Sequence, residues 1–131
     1  MTLARSSRHL TMLAILVTCL AVAGLAGAQS SVAKTKACAT PKEPAGLLGG
    51  YFTQLQVNRV SCATGRKLVL AYYKCRRKKG IKGSCSGKTI NGLKCTEKRG
   101  AEIETQYNAT VTCKKGSKSV KHSYQQNLVP G

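Results

Sequence analysis

Six cysteines, Cys38, Cys62, Cys75, Cys85, Cys95 and Cys113, are separated by 23, 12, 9, 9 and 17 residues. This spacing constrains the fold more than any other feature of the chain. None of the gaps is the short C-x-x-C interval of a zinc ligand pair, so neither a metal site nor a cofactor is expected, and paired cysteines point to an oxidising compartment. About a hundred residues bury only a modest core. With no Trp and a single Phe, Phe52, three disulfides at roughly 2–4 kcal/mol each would carry much of the stability.

A seventh cysteine, Cys19, falls in a segment that reads as a cleavable export signal. Arg5 and Arg8 give it a basic start, residues 10–25 (LTMLAILVTCLAVAGL) an apolar centre, and Ala26-Gly27-Ala28 a small-residue cleavage site before Gln29. The 16-residue apolar run falls short of the roughly 20 residues that span a membrane. Cleavage at Ala28–Gln29 therefore leaves no transmembrane segment in the mature chain. It also leaves 20 of the 22 Lys and Arg against four acids (Glu43, Glu97, Glu102, Glu104), a net charge of +16, and one histidine, His122.

Four regions follow: the signal (1–28), a flexible basic arm (29–50), an α+β domain (51–125) and a tail (126–131). Residues 51–60 alternate, with Tyr51, Thr53, Leu55 and Val57 on one side, as in a strand. Ser61 is placed to cap a helix from Cys62 to Lys79 whose apolar side holds Leu68, Ala71, Tyr72 and Cys75, with Gly80 as its stop. After a Gly-, Ser- and Lys-rich loop (80–91) come three strands. A turn at Lys98-Arg99-Gly100 would set Cys95 opposite Ile103, and a turn at Lys115-Gly116 would set Val111 opposite Val120. Both registers gather Leu93, Cys95, Ile103, Tyr107, Ala109, Val111, Val120 and Tyr124 on one face and leave the other polar. The fold class predicted is α+β: one helix on a small antiparallel sheet of about four strands, a disulfide-stabilised two-layer sandwich.

Six cysteines allow 15 pairings. Cys62 and Cys75 lie about 20 Å apart along one helix, too far to bridge. The expected turns put Cys95 and Cys113 at opposite ends of the sheet. The pairing expected is Cys62–Cys95, Cys85–Cys113 and Cys38–Cys75.

The segments VSCATGRKLVLAYYKCRR, GLKC and ATVTCKKGSKSVKHSY, within residues 52–125, resemble small secreted cysteine-containing actinobacterial proteins of unassigned function. The resemblance implies a bacterial extracytoplasmic setting and an α+β fold, and no activity.

Catalysis finds little support in the residues. Glu102, Glu104 and His122 could supply the acid and base of a small ribonuclease, but the expected register puts His122 on the apolar face and the two carboxylates on the polar one. There is no Asp and no G-x-S-x-G, which removes the common hydrolase triads. The basic run Lys74, Arg76, Arg77, Lys78, Lys79 and Lys82 is the expected anion-binding patch, since a field of this sign attracts polyanions. The reading is a secreted, monomeric, non-enzymatic domain. Its expected partners are anionic polymers or surfaces (cell envelope, or nucleic acid without sequence preference) or an acidic protein. A secreted peptidase inhibitor, presenting the Cys75–Cys85 or Cys85–Cys95 loop, is the alternative, and a ribonuclease a more distant one.

Overall fold

A computed structural model describes residues 34–43 and 50–129. The export signal, its Ala28–Gln29 cleavage point and the remaining parts of the arm and tail lie outside the described residues. The elements are β1 (Lys36–Cys38), β2 (Gly50–Asn58), α1 (Cys62–Arg77), β3 (Thr89–Ile90), β4 (Leu93–Glu102), β5 (Gln106–Lys115) and β6 (Lys118–Asn127). The strands form one curled antiparallel sheet in the order β1-β2-β6-β5-β4-β3, with the helix against one face. The fold is α+β as expected, but richer in sheet.

The helix starts where its cap chemistry puts it. Ser61 Oγ accepts from the Thr64 backbone N–H at 3.1 Å, satisfying one of the free donors of the first turn. Gly65, Leu68, Val69, Tyr72, Tyr73 and Arg76 form its buried side, the i, i+3, i+4 stripe of a helix facing a core. Gly65 is needed there: a Cβ would stand 2.7 Å from Val57 Cγ1 of β2. From the sheet, Leu55, Val57, Tyr107, Val111, Val120 and Tyr124 complete the core.

Two strands escape the sequence reading. Lys36–Cys38, placed in a flexible arm, pairs with β2 through Cys38 opposite Leu55. Ile90 and Leu93 close a hairpin around Asn91 and Gly92, both at positive φ. Asn-Gly is the strongest short hairpin signal in a sequence, and it turns the end of the expected 80–91 loop into a strand. At the other end of the domain β6 runs through Asn127, so the first residues of the expected tail belong to the sheet.

The two expected turns are displaced, with different consequences. The β5–β6 turn is at Gly116-Ser117, with Lys115 opposite Lys118 and Val111 opposite His122 rather than Val120. Val111's partner thus moves by two residues, an even number, so every side chain keeps its face. The Lys98-Arg99-Gly100 turn does not form. β4 runs through it, with a register irregularity between Arg99 and Glu102, and the chain reverses at Glu104-Thr105, closed by the Ile103–Gln106 backbone pair. Glycine within a strand marks a bulge as readily as a turn. Ile103 is consequently 57 % exposed at the hairpin tip instead of in the core.

That displacement rewrites the disulfides. With β4 unbroken, Cys95 stands directly opposite Cys113 and bonds it, Cα to Cα 3.9 Å. Cys75 at the helix end bonds Cys85 in the following loop, and Cys38 of β1 bonds Cys62 at the helix start. None of the expected pairs Cys62–Cys95, Cys85–Cys113 and Cys38–Cys75 forms. The exclusion of Cys62–Cys75 along the helix stands.

Candidate functional site

Of the basic run expected as an anion-binding patch, one member does not reach the surface. Lys74, Lys78 and Lys79 are exposed and Arg77 is half-buried. Arg76 points inward and is 2 % exposed, because it lies one helical turn beyond Tyr72 on the buried stripe. Its guanidinium lies over the rings of Tyr124 (4.1 Å) and Tyr73 (5.0 Å), and Nη2 donates to Gln126 Oε1 at 2.9 Å. Aromatic faces stabilise a desolvated guanidinium through the ring quadrupole. Lys79 Nζ donates to the Ser84 carbonyl at 2.8 Å, and Lys82 is ion-paired with Glu102. Arg76 is therefore a core residue, and Lys82 is locally neutralised.

A polar cluster sits inside the fold. Tyr72 donates to Glu97 Oε2 at 2.6 Å and accepts from the Cys85 N–H at 3.3 Å. Arg99 Nε donates to Glu97 Oε1 at 2.8 Å, while its guanidinium covers the Tyr107 ring at 4.6 Å. Burial by itself pushes the Glu97 carboxyl up, but the bonds from Tyr72 and Arg99 and the Arg99 charge outweigh it and hold the group below its ordinary value. Burial likewise pushes the Tyr72 hydroxyl up, reinforced by its bond to Glu97. Arg99 Nη2 also reaches the Lys82 and Gly83 carbonyls (2.7 and 3.1 Å) and ties the loop after the helix to β4.

His122 lies in the core, 1 % exposed, in edge contact with Tyr72 and Phe52 and stacked beside Tyr124. Burial first, then the nearby Arg76 charge, lowers its pKa to about 4, with Glu97 acting weakly in the other direction. The ring is neutral at physiological pH. Glu102 is held by Lys82, and Glu104 is in the β4–β5 turn. The three residues considered for a ribonuclease do not share a solvent-facing site. Glu97, the carboxylate that does lie near His122, is sealed in with it: its side chain is 2 % exposed.

The opposite face of the sheet carries the exposed charge. Side chains of β4, β5 and β6 that point away from the helix include Lys94, Lys98, Lys114 and Lys121, interspersed with Thr96, Thr110, Thr112, Ser119 and Ser123. No residue in register on this face is acidic, and among the described residues no element packs on it. Alternation made this face legible from sequence as polar. Its lysines are not contiguous in sequence: they are spread over three strands, and only strand pairing makes them a group.

Among the described residues, fold and sites together define a three-disulfide domain with one helix on a curled six-stranded sheet. Its inner face buries its histidine, and its outer face is open, polar and basic. No protein-family model, curated protein or solved structure matches the chain. Among the described residues there is no cluster of His, Cys, Asp or Glu that could hold a metal, and no helix is long and apolar enough to cross a membrane.

Proposed function

We propose that this chain is a secreted, non-enzymatic domain that binds anionic polymers of the extracellular space or cell envelope. The observation that carries the reading is the uncovered sheet face with four lysines and no carboxylate. Two of the four acids, Glu97 and Glu102, are ion-paired with Arg99 and Lys82 and offset little of the surrounding positive field. Such a field draws polyanions through steering and counterion release. The three disulfides are consistent with an oxidising compartment, and the export signal read from the sequence accounts for how the chain reaches it.

The test is retention on heparin resin. The disulfide-bonded protein should elute well above physiological ionic strength, about 0.15 M, with a steep dependence on salt. Elution at or below that value would overturn the reading. Stoichiometric, salt-insensitive inhibition of a protease would favour an inhibitor instead. RNA cleavage lost on His122→Ala would favour a nuclease.

A further inference from the structure

Lys94 and Lys114 stand directly opposite each other on β4 and β5. The next pair along, Cys95 and Cys113, has its Cys95 backbone N–H and C=O bonded to Lys88 and Gly87 on the far side of β4. It is therefore a non-hydrogen-bonded pair of the β4–β5 ladder. Lys94–Lys114 is by alternation a hydrogen-bonded pair, with Cα atoms about 5.5 Å apart. Like charges directly opposite destabilise a sheet, and a two-residue slip would separate them without disturbing either face. The Cys95–Cys113 bond forbids that slip. A covalent link on the inner face thus fixes a repulsive pair of ammonium groups on the outer one.

An anion between the two side chains would remove the repulsion. Thr96 and Thr112, the next outward pair, form with the two lysines an open depression. Thr96 Oγ1 donates to the Thr112 carbonyl at 3.3 Å. Lys121, opposite Thr112 on β6, is diagonal to Lys114 at about 7–8 Å. Lys98 lies four residues along β4 from Lys94, about 13 Å. Between and beside them the face is Thr, Ser, Asn and Gln. Its one aromatic, Tyr51, stands at the margin, hydrogen-bonded to Gln125 at 2.9 Å. Single-stranded nucleic acid is held without sequence preference by stacking its bases on aromatic side chains, and this face lacks such a platform.

We propose that the outer sheet face is a docking surface for an anionic polysaccharide. One acidic group of the polymer sits between Lys94 and Lys114, neighbouring acidic groups meet Lys121 and Lys98, and sugar hydroxyls meet the hydroxyl and amide rows. This rests on the polyanion reading above and narrows it to one face and one chemical class.

The experiment compares Lys94→Gln/Lys114→Gln with Lys78→Gln/Lys79→Gln, which removes the same charge from the helix end. Binding is titrated with a heparin dodecasaccharide and with an oligo-dT of equal charge across a salt series. The sheet-face variant should bind heparin at least about tenfold more weakly and lose about two units of the log–log salt slope, whereas the helix-end variant should change by less than about threefold. The sheet-face variant should also unfold at the same or a higher denaturant concentration than the parent, because it loses a repulsion and no packing. Equal losses from both variants would overturn the site and leave the general polyanion reading standing. Tighter, Lys94/Lys114-dependent binding of oligo-dT would overturn the polysaccharide assignment. No heparin binding by the parent would remove both.

Discussion

His122 couples the stability of the fold to pH between its folded pKa and its ordinary one. Its folded pKa is about 4 against an ordinary value of 6.5, so between those values the unfolded chain binds a proton that the folded one refuses. Stability rises with pH wherever the unfolded state holds more protons. It is therefore fully present above pH 6.5 and is lost as pH falls toward 4. The difference of 2.5 pH units corresponds to about 3 kcal/mol, most of it gone near pH 4.5. The groups facing the imidazole fit this sign. Arg76 on the helix opposes a second positive charge, Glu97 on β4 favours it only weakly, and Tyr72 and Tyr124 present rings. Urea unfolding followed by Tyr fluorescence or circular dichroism between pH 4.5 and 7.5 measures the slope. His122→Phe, which keeps ring contacts with Tyr72 and Phe52, should flatten it. A parent whose stability is constant across that range, or an imidazole titrating above pH 6 by NMR in the folded protein, would refute the reasoning.

Tyr72→Phe should cost about 1–3 kcal/mol at neutral pH, read by chemical denaturation, because a buried Glu97 carboxylate loses a donor and the Cys85 N–H an acceptor. Gly65→Ala should destabilise by on the order of 1–2 kcal/mol despite alanine's helix preference of about 1 kcal/mol, since the new Cβ meets buried Val57 at 2.7 Å; a gain in stability would contradict that contact. Peptide mapping without reduction should return Cys38–Cys62, Cys75–Cys85 and Cys95–Cys113, and recovery of Cys62–Cys95 would contradict the β4–β5 register.

Local chemistry was legible where a short stretch of chain decides it. Ser61, the 3.6-residue spacing from Leu68 to Tyr72 and the closing Gly80 define a helix by themselves, and α1 spans Cys62–Arg77. The alternation of β5 and β6 defines an inner and an outer face, and those faces hold even though the hairpin turn is displaced, because a two-residue shift leaves period two untouched. Asn91-Gly92 is an equally local signal, a two-residue turn that closes the β3–β4 hairpin with both residues at positive φ. Gly100 carried a real ambiguity. Glycine serves a three-residue turn and a bulge equally well, and only pairing along the whole of β4 selects the bulge.

The sequence alone therefore determined the cysteine inventory, the basic excess, the helix and the two-faced strands, because composition and short-range periodicity need no distant partner. Tertiary structure decided which cysteines meet, since a bond between Cys95 and Cys113 depends on where the chain turns. It also decided which charges reach solvent. Arg76 belongs by sequence to a basic run, yet packing against Tyr73 and Tyr124 takes it into the core. Lys94, Lys98, Lys114 and Lys121 are scattered over 28 residues of sequence and become neighbours only when three strands lie side by side.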